Sequence, residues 1–202
     1  MSDGVFALVP VKDPRQGKSR LAKVLDAAER AALNVQLAEQ TFECCTAVFG
    51  AGNTVVVTAS EAIAAKAEAR GLVVVRESAP GDLNTALVIA AEQAIARGAR
   101  ALLVVPTDLV LLTQEALHAA AQSVLQSPGC VLAPDRHGAG TNLLGVMPAR
   151  ADLFRFGERS LDAHRRAARE AGLAVRVHAN ANLALDLDLP EDYRLWRGAC
   201  VL

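Results

Sequence analysis

Short Val- and Leu-rich runs alternate along this chain with Ala-rich stretches of helical spacing, and that alternation leaves few folds open. Val5–Lys12 is an apolar run bounded by Pro and Gly, and residues 27–48 carry apolar side chains at helical intervals. Thr54–Thr58 reads as a strand. Ser60 is placed to cap a helix over 61–70 that stops at Gly71. Leu72–Val75, Ala101–Val105 and Gly129–Ala133 read as strands. A helix over 83–97 ends at Gly98, and Thr113 caps another that runs to Leu125. Further on come an apolar stretch at Leu143–Met147, a charged helix from Ser160 to Glu170 and a late strand at Leu173–His178. Pro190 stands where a last helix would begin. Strands that are apolar on both faces belong to a mainly parallel sheet covered by helices on either side. The expectation is one α/β domain spanning 1–202, with no interdomain linker or repeat.

Composition narrows the partners. The 202 residues carry a net charge of −1, so no broad basic face points to nucleic acid or a membrane. Aromatic residues are 3% of the chain, too few for a base-stacking surface. Cys44, Cys45, Cys130 and Cys200 form no C-x-x-C or Cys/His cluster, which speaks against zinc and for small buried side chains in a reducing compartment. Met-Ser-Asp-Gly at the start is not followed by a charged region and apolar core, and charged or polar residues interrupt every long apolar run. A cytoplasmic protein is expected.

Any charge that matters must then be local. After the first strand, Lys12, Arg15, Lys18 and Arg20 crowd into one loop. In an open α/β sheet, ligands bind outside the carboxyl ends of the strands, so these cations suit a ligand with several phosphates. A solvated basic loop is the plainer reading. In Val104-Val105-Pro106-Thr107-Asp108, the carboxylate leaves an apolar strand toward the same crevice, although an Asp there also serves as a helix cap. Asp186 and Asp188, two positions apart in Leu-Asp-Leu-Asp-Leu, face one side of an extended segment with leucines on the other. Like charges on one face repel unless a cation lies between them, and hard oxygen ligands suit magnesium. An exposed edge strand would show the same alternation.

Two weaker patches remain. Asp135-Arg136-His137-Gly138-Ala139-Gly140-Thr141-Asn142 combines glycines, whose amides can approach an anion, with short polar side chains. Phe156-Gly157-Glu158-Arg159-Ser160 opens a helix, where anions bind readily. Gly50-Ala51-Gly52 precedes its strand and is no dinucleotide fingerprint, and Gly17-Lys18-Ser19 has the tail of a P-loop without its first glycine. The four histidines form no nucleophile–base set.

V-P-V-K-D-P-R-Q-G-K-S-R-L, P-G-D-L-N-T-A-L, V-V-P-T-D-L, A-P-D-R-H-G-A-G-T-N, F-G-E-R-S-L-D-A-H and L-D-L-D-L-P-E-D occur in the order seen in the phospholactate guanylyltransferase family, and nearly the whole chain resembles it. The resemblance implies a nucleotidyltransferase-like three-layer sandwich with a mostly parallel mixed sheet, often homodimeric. It implies transfer of GMP from GTP to 2-phospho-L-lactate, phosphoenolpyruvate or 3-phospho-D-glycerate in biosynthesis of the deazaflavin coenzyme F-420. Pyrophosphate is released, and the product passes to the next enzyme of that pathway. By the same resemblance Asp108, Asp186 and Asp188 would hold Mg2+. Pro10, Val11, Lys12, Lys18, Arg20 and Asn84 would bind GTP, with Lys18, Arg20 and Asp108 at the reaction. Thr141, Gly157 and Ser160, with Asn142 beside them, would hold the acid. The family usually has a second Pro after P-T-D-L, where this chain has Val110. Two other readings stand beside this one. A cytidylyl- or sugar-nucleotidyltransferase is disfavoured by the lack of a G-x-G-T-R loop, and a regulator that binds nucleotide without turnover would need the same groups.

Overall fold

Val5, Ala7 and Val9 of the first strand point to one side of the sheet and Phe6 and Leu8 to the other, and every one is buried. Such a strand needs cover on both faces. The computed structural model, which describes residues 4–77 and 81–199, supplies it. The strands are β1 (Val5–Pro10), β2 (Thr54–Thr58), β3 (Val73–Arg76), β4 (Ala101–Val104), β5 (Gly129–Pro134), β6 (Thr141–Met147) and β7 (Val175–Val177). The helices are α1 (Ala27–Phe49), α2 (Glu61–Glu68), α3 (Leu83–Ala96), α4 (Gln114–Leu125), α5 (Ser160–Glu170), the four-residue α6 (Ala181–Ala184) and α7 (Pro190–Ala199). The seven strands run in the order β3-β2-β1-β4-β6-β5-β7. Only β6 is antiparallel to its neighbours. The sheet is thus mixed and mostly parallel, as expected.

Helices α1, α2 and α4 pack on the odd-numbered side chains of β1, and α3 and α5 on the even-numbered ones. Together with the sheet they make three layers. Each fully buried Leu or Phe in these clusters contributes about 1.5–3 kcal/mol by leaving water. Gly145 in β6 keeps α4 close, because a Cβ there would run into Val124 and Leu103.

Local signals placed most boundaries to within a residue or two. Asp26 caps α1 and Glu29 bonds back to the Asp26 amide, a complete capping box. Thr113 caps α4 through the Ala116 amide at 3.2 Å, and Pro190 opens α7. Ser60 is a correction: it stands at the start of α2, yet its side chain makes no cap bond, and its amide donates instead to Thr58 Oγ1 at 3.0 Å. Cys44, Cys45 and Cys130 are free and buried, and burial pushes their thiols up in pKa. Cys200 lies outside the described residues. No described helix is long and apolar enough to cross a membrane.

A small third cluster decides where the acidic motif sits. Leu185 and Leu187 bury themselves against Leu21, Leu33, Leu37 and Val110, with Tyr193 and Trp196 of α7 beside them. Val110 therefore fills space under the motif.

Candidate active site

β1 and β4 are adjacent and parallel, so their carboxyl ends lie at the same edge of the sheet and the loops that follow them border one crevice, the usual ligand position in such sheets. A cleft of about 370 Å³ opens there. Pro10 at the end of β1 and Val11, Lys12 and Lys18 from the loop after it line the cleft, with Asp108 after β4 and Asp188 from the C-terminal motif. Basic loop and carboxylates, which the sequence separates by some ninety residues or more, share one wall-to-wall space.

The loop is pinned in shape. Asn34 of α1 donates to the Pro14 carbonyl at 2.7 Å, and Gly17 lies so close to Asn34 that a Cβ would meet its amide nitrogen at 2.7 Å. Lys18 takes a left-handed conformation, φ 56°, which costs a non-glycine residue about 1–2 kcal/mol. Its Nζ donates to the Leu187 carbonyl at 2.7 Å, and Leu187 in turn donates its amide to the Asp108 carbonyl at 3.0 Å. Leu109 and Asp186 pair as an antiparallel bridge. The first loop, the β4 loop and the acidic motif are thereby stitched together.

The electrostatics follow from that packing. Burial at the cleft floor raises the Asp108 pKa to about 6; Lys18 pulls it down, and Asp188 and Asp186 push it up. Part of the Asp108 surface still faces the open cleft. Asp186 is also raised, first by burial, although Asn142 Nδ2 donates to its Oδ1 at 3.3 Å. Asp13, paired with Arg15 at 2.7 Å, is held below the usual carboxylate range by that hydrogen bond.

A hard divalent cation fits this donor set in part. Asp108 and Asp188 share the cleft, and one or two carboxylates plus substrate phosphates are what magnesium commonly takes. The expected trio does not close on one point. Among the described residues no three His, Cys, Asp or Glu side chains stand close enough to hold an ion, and Asp186 lies outside the cleft lining, beside Asn142.

Other expected residues are displaced from the cleft for identifiable reasons. Ser19–Lys23 winds into a 3-10 turn with Leu21 buried, and that throws Arg20 into solvent. Arg15 is spent on Asp13 and is largely exposed. Asn84 grips the Phe156 backbone from both sides, accepting its amide at 2.7 Å and donating to its carbonyl at 3.0 Å, so both polar atoms are engaged. Thr141 and Ser160 belong to a buried network. The Thr141 amide donates to Ser160 Oγ, and Thr141 Oγ1 lies 2.9 Å from His164 Nδ1. The Arg155 amide donates to His164 Nε2 at 2.9 Å, so that nitrogen is bare and Nδ1 carries the proton toward Thr141. Gly157 lies exposed on the loop that this network and Asn84 hold, at φ 142°, where nothing stands within 4 Å of a Cβ position. Asn142 bonds Leu183 and Asp186. The Gly-rich 135–140 turn is no open anion cradle: Ala139 donates to Asp135 Oδ1 and Gly138 to the Asp135 carbonyl.

Thr107, Leu83 and Asn34 line the cleft without having been singled out from the sequence. Thr107 was in reach as the neighbour of Asp108, whereas Asn34 reads as one more polar residue of a long helix.

Residues 5–195 match the family described as "Guanylyl transferase CofC like". The phosphoenolpyruvate guanylyltransferase of Rubrobacter xylanophilus is 38% identical over 190 residues, 93% of this chain and 91% of that protein. The 3-phospho-D-glycerate guanylyltransferase of Phenylobacterium zucineum is 36% identical over 204 residues, 96% of this chain and 90% of that one. A crystal structure from Desulfovibrio desulfuricans G20, of a protein proposed to be a nucleotide-diphospho-sugar transferase, superposes with a TM-score of 0.72 at 17% identity, covering 95% of this chain and 85% of that one. That last likeness is one of fold.

Proposed function

This chain belongs to the CofC-like guanylyl transferase family and is a guanylyltransferase, and on that premise we propose that it joins GMP from GTP to the phosphate of a three-carbon phospho-acid. The acids are those of the family and of the relatives' names: phosphoenolpyruvate, 3-phospho-D-glycerate or 2-phospho-L-lactate. A phosphate oxygen of the acid forms a bond to the α-phosphorus, the bond from that phosphorus to the bridging oxygen breaks, and pyrophosphate leaves with the electron pair. The observation that carries this reading is that Lys12 and Lys18 line one cleft with Asp108 and Asp188.

The acceptor phosphate is already ionised, so the chain need not remove a proton, and its task is positioning and charge compensation. Lys18 and Lys12 would hold the triphosphate and the departing pyrophosphate. Asp108 and Asp188, together with substrate phosphates, would hold Mg2+, which when bound offsets the repulsion between two anionic reactants. The 155–159 loop, held by Asn84 and His164, would present Gly157 and the start of α5 to the acid. The reading extends to a homodimer in the cytoplasm that supplies the next enzyme of coenzyme F-420 biosynthesis.

The test is pyrophosphate release with GTP, Mg2+ and each of the three acids side by side. Release with one acid and GTP supports the proposal. Release with CTP in place of GTP would move the protein to the cytidylyl class. GTP binding without release, across all three acids, would make it a non-catalytic binder.

A further inference from the structure

We propose that Arg136 is a positioning residue for the metal-binding carboxylates, acting through the buried Asp192 on the backbone of Asp188. The inference rests on the reading of Asp188 as a magnesium ligand.

Asp192, on the first turn of α7, is 4% exposed and divides its two oxygens between two tasks. Oδ2 accepts the amides of Asp188 at 3.1 Å and Leu189 at 2.7 Å. Oδ1 takes the Arg136 guanidinium, Nη2 at 2.7 Å and Nε at 3.2 Å, while Nη2 also reaches Glu191 at 2.8 Å. A side chain in the first turn that reaches back to the amides ahead of a helix can be a neutral Gln as well as a carboxylate. A buried carboxylate is costly unless paired, and here its partner comes from a loop 56 residues away. The pair does more than start a helix. With Lys18 on the Leu187 carbonyl and Leu187 packed beneath, the Asp192 bonds leave the Asp188 backbone little freedom, and its side chain is delivered to the cleft.

Charge and positioning predict opposite outcomes, and that makes the proposal testable. Arg136 is a cation near carboxylates, so its removal on charge grounds alone should tighten binding of a divalent cation. If Arg136 positions Asp188, removal should loosen binding by about tenfold or more, as loss of groups behind metal ligands does. The experiment is a Mn2+ titration by electron paramagnetic resonance, with saturating α,β-methylene-GTP, on wild type, Arg136→Met, Arg136→Lys and Asp188→Asn. The Mg2+ midpoint of pyrophosphate release is measured in parallel. A raised Mn2+ midpoint in Arg136→Met, partly restored in Arg136→Lys, supports the proposal. A midpoint unchanged or lowered in Arg136→Met while Asp188→Asn raises it overturns the proposal and leaves the metal reading intact. An unchanged midpoint in Asp188→Asn overturns the metal reading, and this inference with it. Should Arg136→Met not fold, Arg136→Lys decides, since a lone ammonium cannot reproduce the two-nitrogen contact and an unchanged midpoint there refutes positioning.

Discussion

Replacing Lys18 by Ala probes the cleft most directly. Lys18 is half-buried, lines the cleft with Asp108 and Asp188, and donates to the Leu187 carbonyl at 2.7 Å. A charge-assisted bond from it to the triphosphate is worth about 1.5–3 kcal/mol. Its loss should lower kcat/KM for GTP by about 10- to 150-fold. If the bond strengthens as charge builds on the leaving pyrophosphate, kcat falls along with kcat/KM. The left-handed backbone at φ 56° supplies an internal control. Alanine keeps the Cβ that makes this conformation costly, whereas glycine removes it, so Lys18→Gly should be more stable than Lys18→Ala by about 1 kcal/mol. The two variants should nevertheless show the same kinetic loss. Steady-state pyrophosphate release at saturating acid and magnesium, with urea unfolding of each variant, gives both quantities. An unchanged kcat/KM in Lys18→Ala would show that the loop does not hold the nucleotide. Activity retained in Lys18→Gly but lost in Lys18→Ala would show that backbone shape, not charge, is what matters at this position.

Asn84→Ala removes both bonds to the Phe156 backbone and should lower stability by about 1–3 kcal/mol in urea unfolding. It should also raise KM for the acid with little change for GTP; a rise confined to GTP would instead make Asn84 a nucleotide contact. His164 gives the pH dependence. Burial first, and then the nearby Arg155 charge, lower its pKa to about 4. Below the ordinary value near 6.5 the unfolded chain takes up a proton that the folded chain refuses. Stability present above pH 6.5 is therefore lost progressively as pH falls toward 4, by up to about 3 kcal/mol. His178, also lowered by burial, acts in the same direction. His164→Gln should flatten the wild-type decline of unfolding free energy between pH 6.5 and 4, and an unaltered slope would contradict the buried neutral histidine.

Strand and helix positions, the helix caps at Asp26 and Thr113 and the opposed faces of Leu185–Asp188 are local properties. Side-chain alternation and hydrogen bonds spanning three or four residues specify them, so they stand in the sequence itself. The crevice between β1 and β4 was legible for the same reason, since apolar strands in βα alternation leave their following loops at one edge. The fates of Arg20, Asn84, Thr141, Ser160 and Arg136 were not. Each is a polar residue in a motif suited to binding, and each is claimed by the fold: Arg20 by the turn that buries Leu21, Asn84 by Phe156, Thr141 and Ser160 by one another and His164, Arg136 by Asp192. Apart from Arg20, the partners lie 19 to 72 residues away along the chain. A buried polar atom must find a partner wherever tertiary packing brings one, and that pairing exists only once the layers have closed.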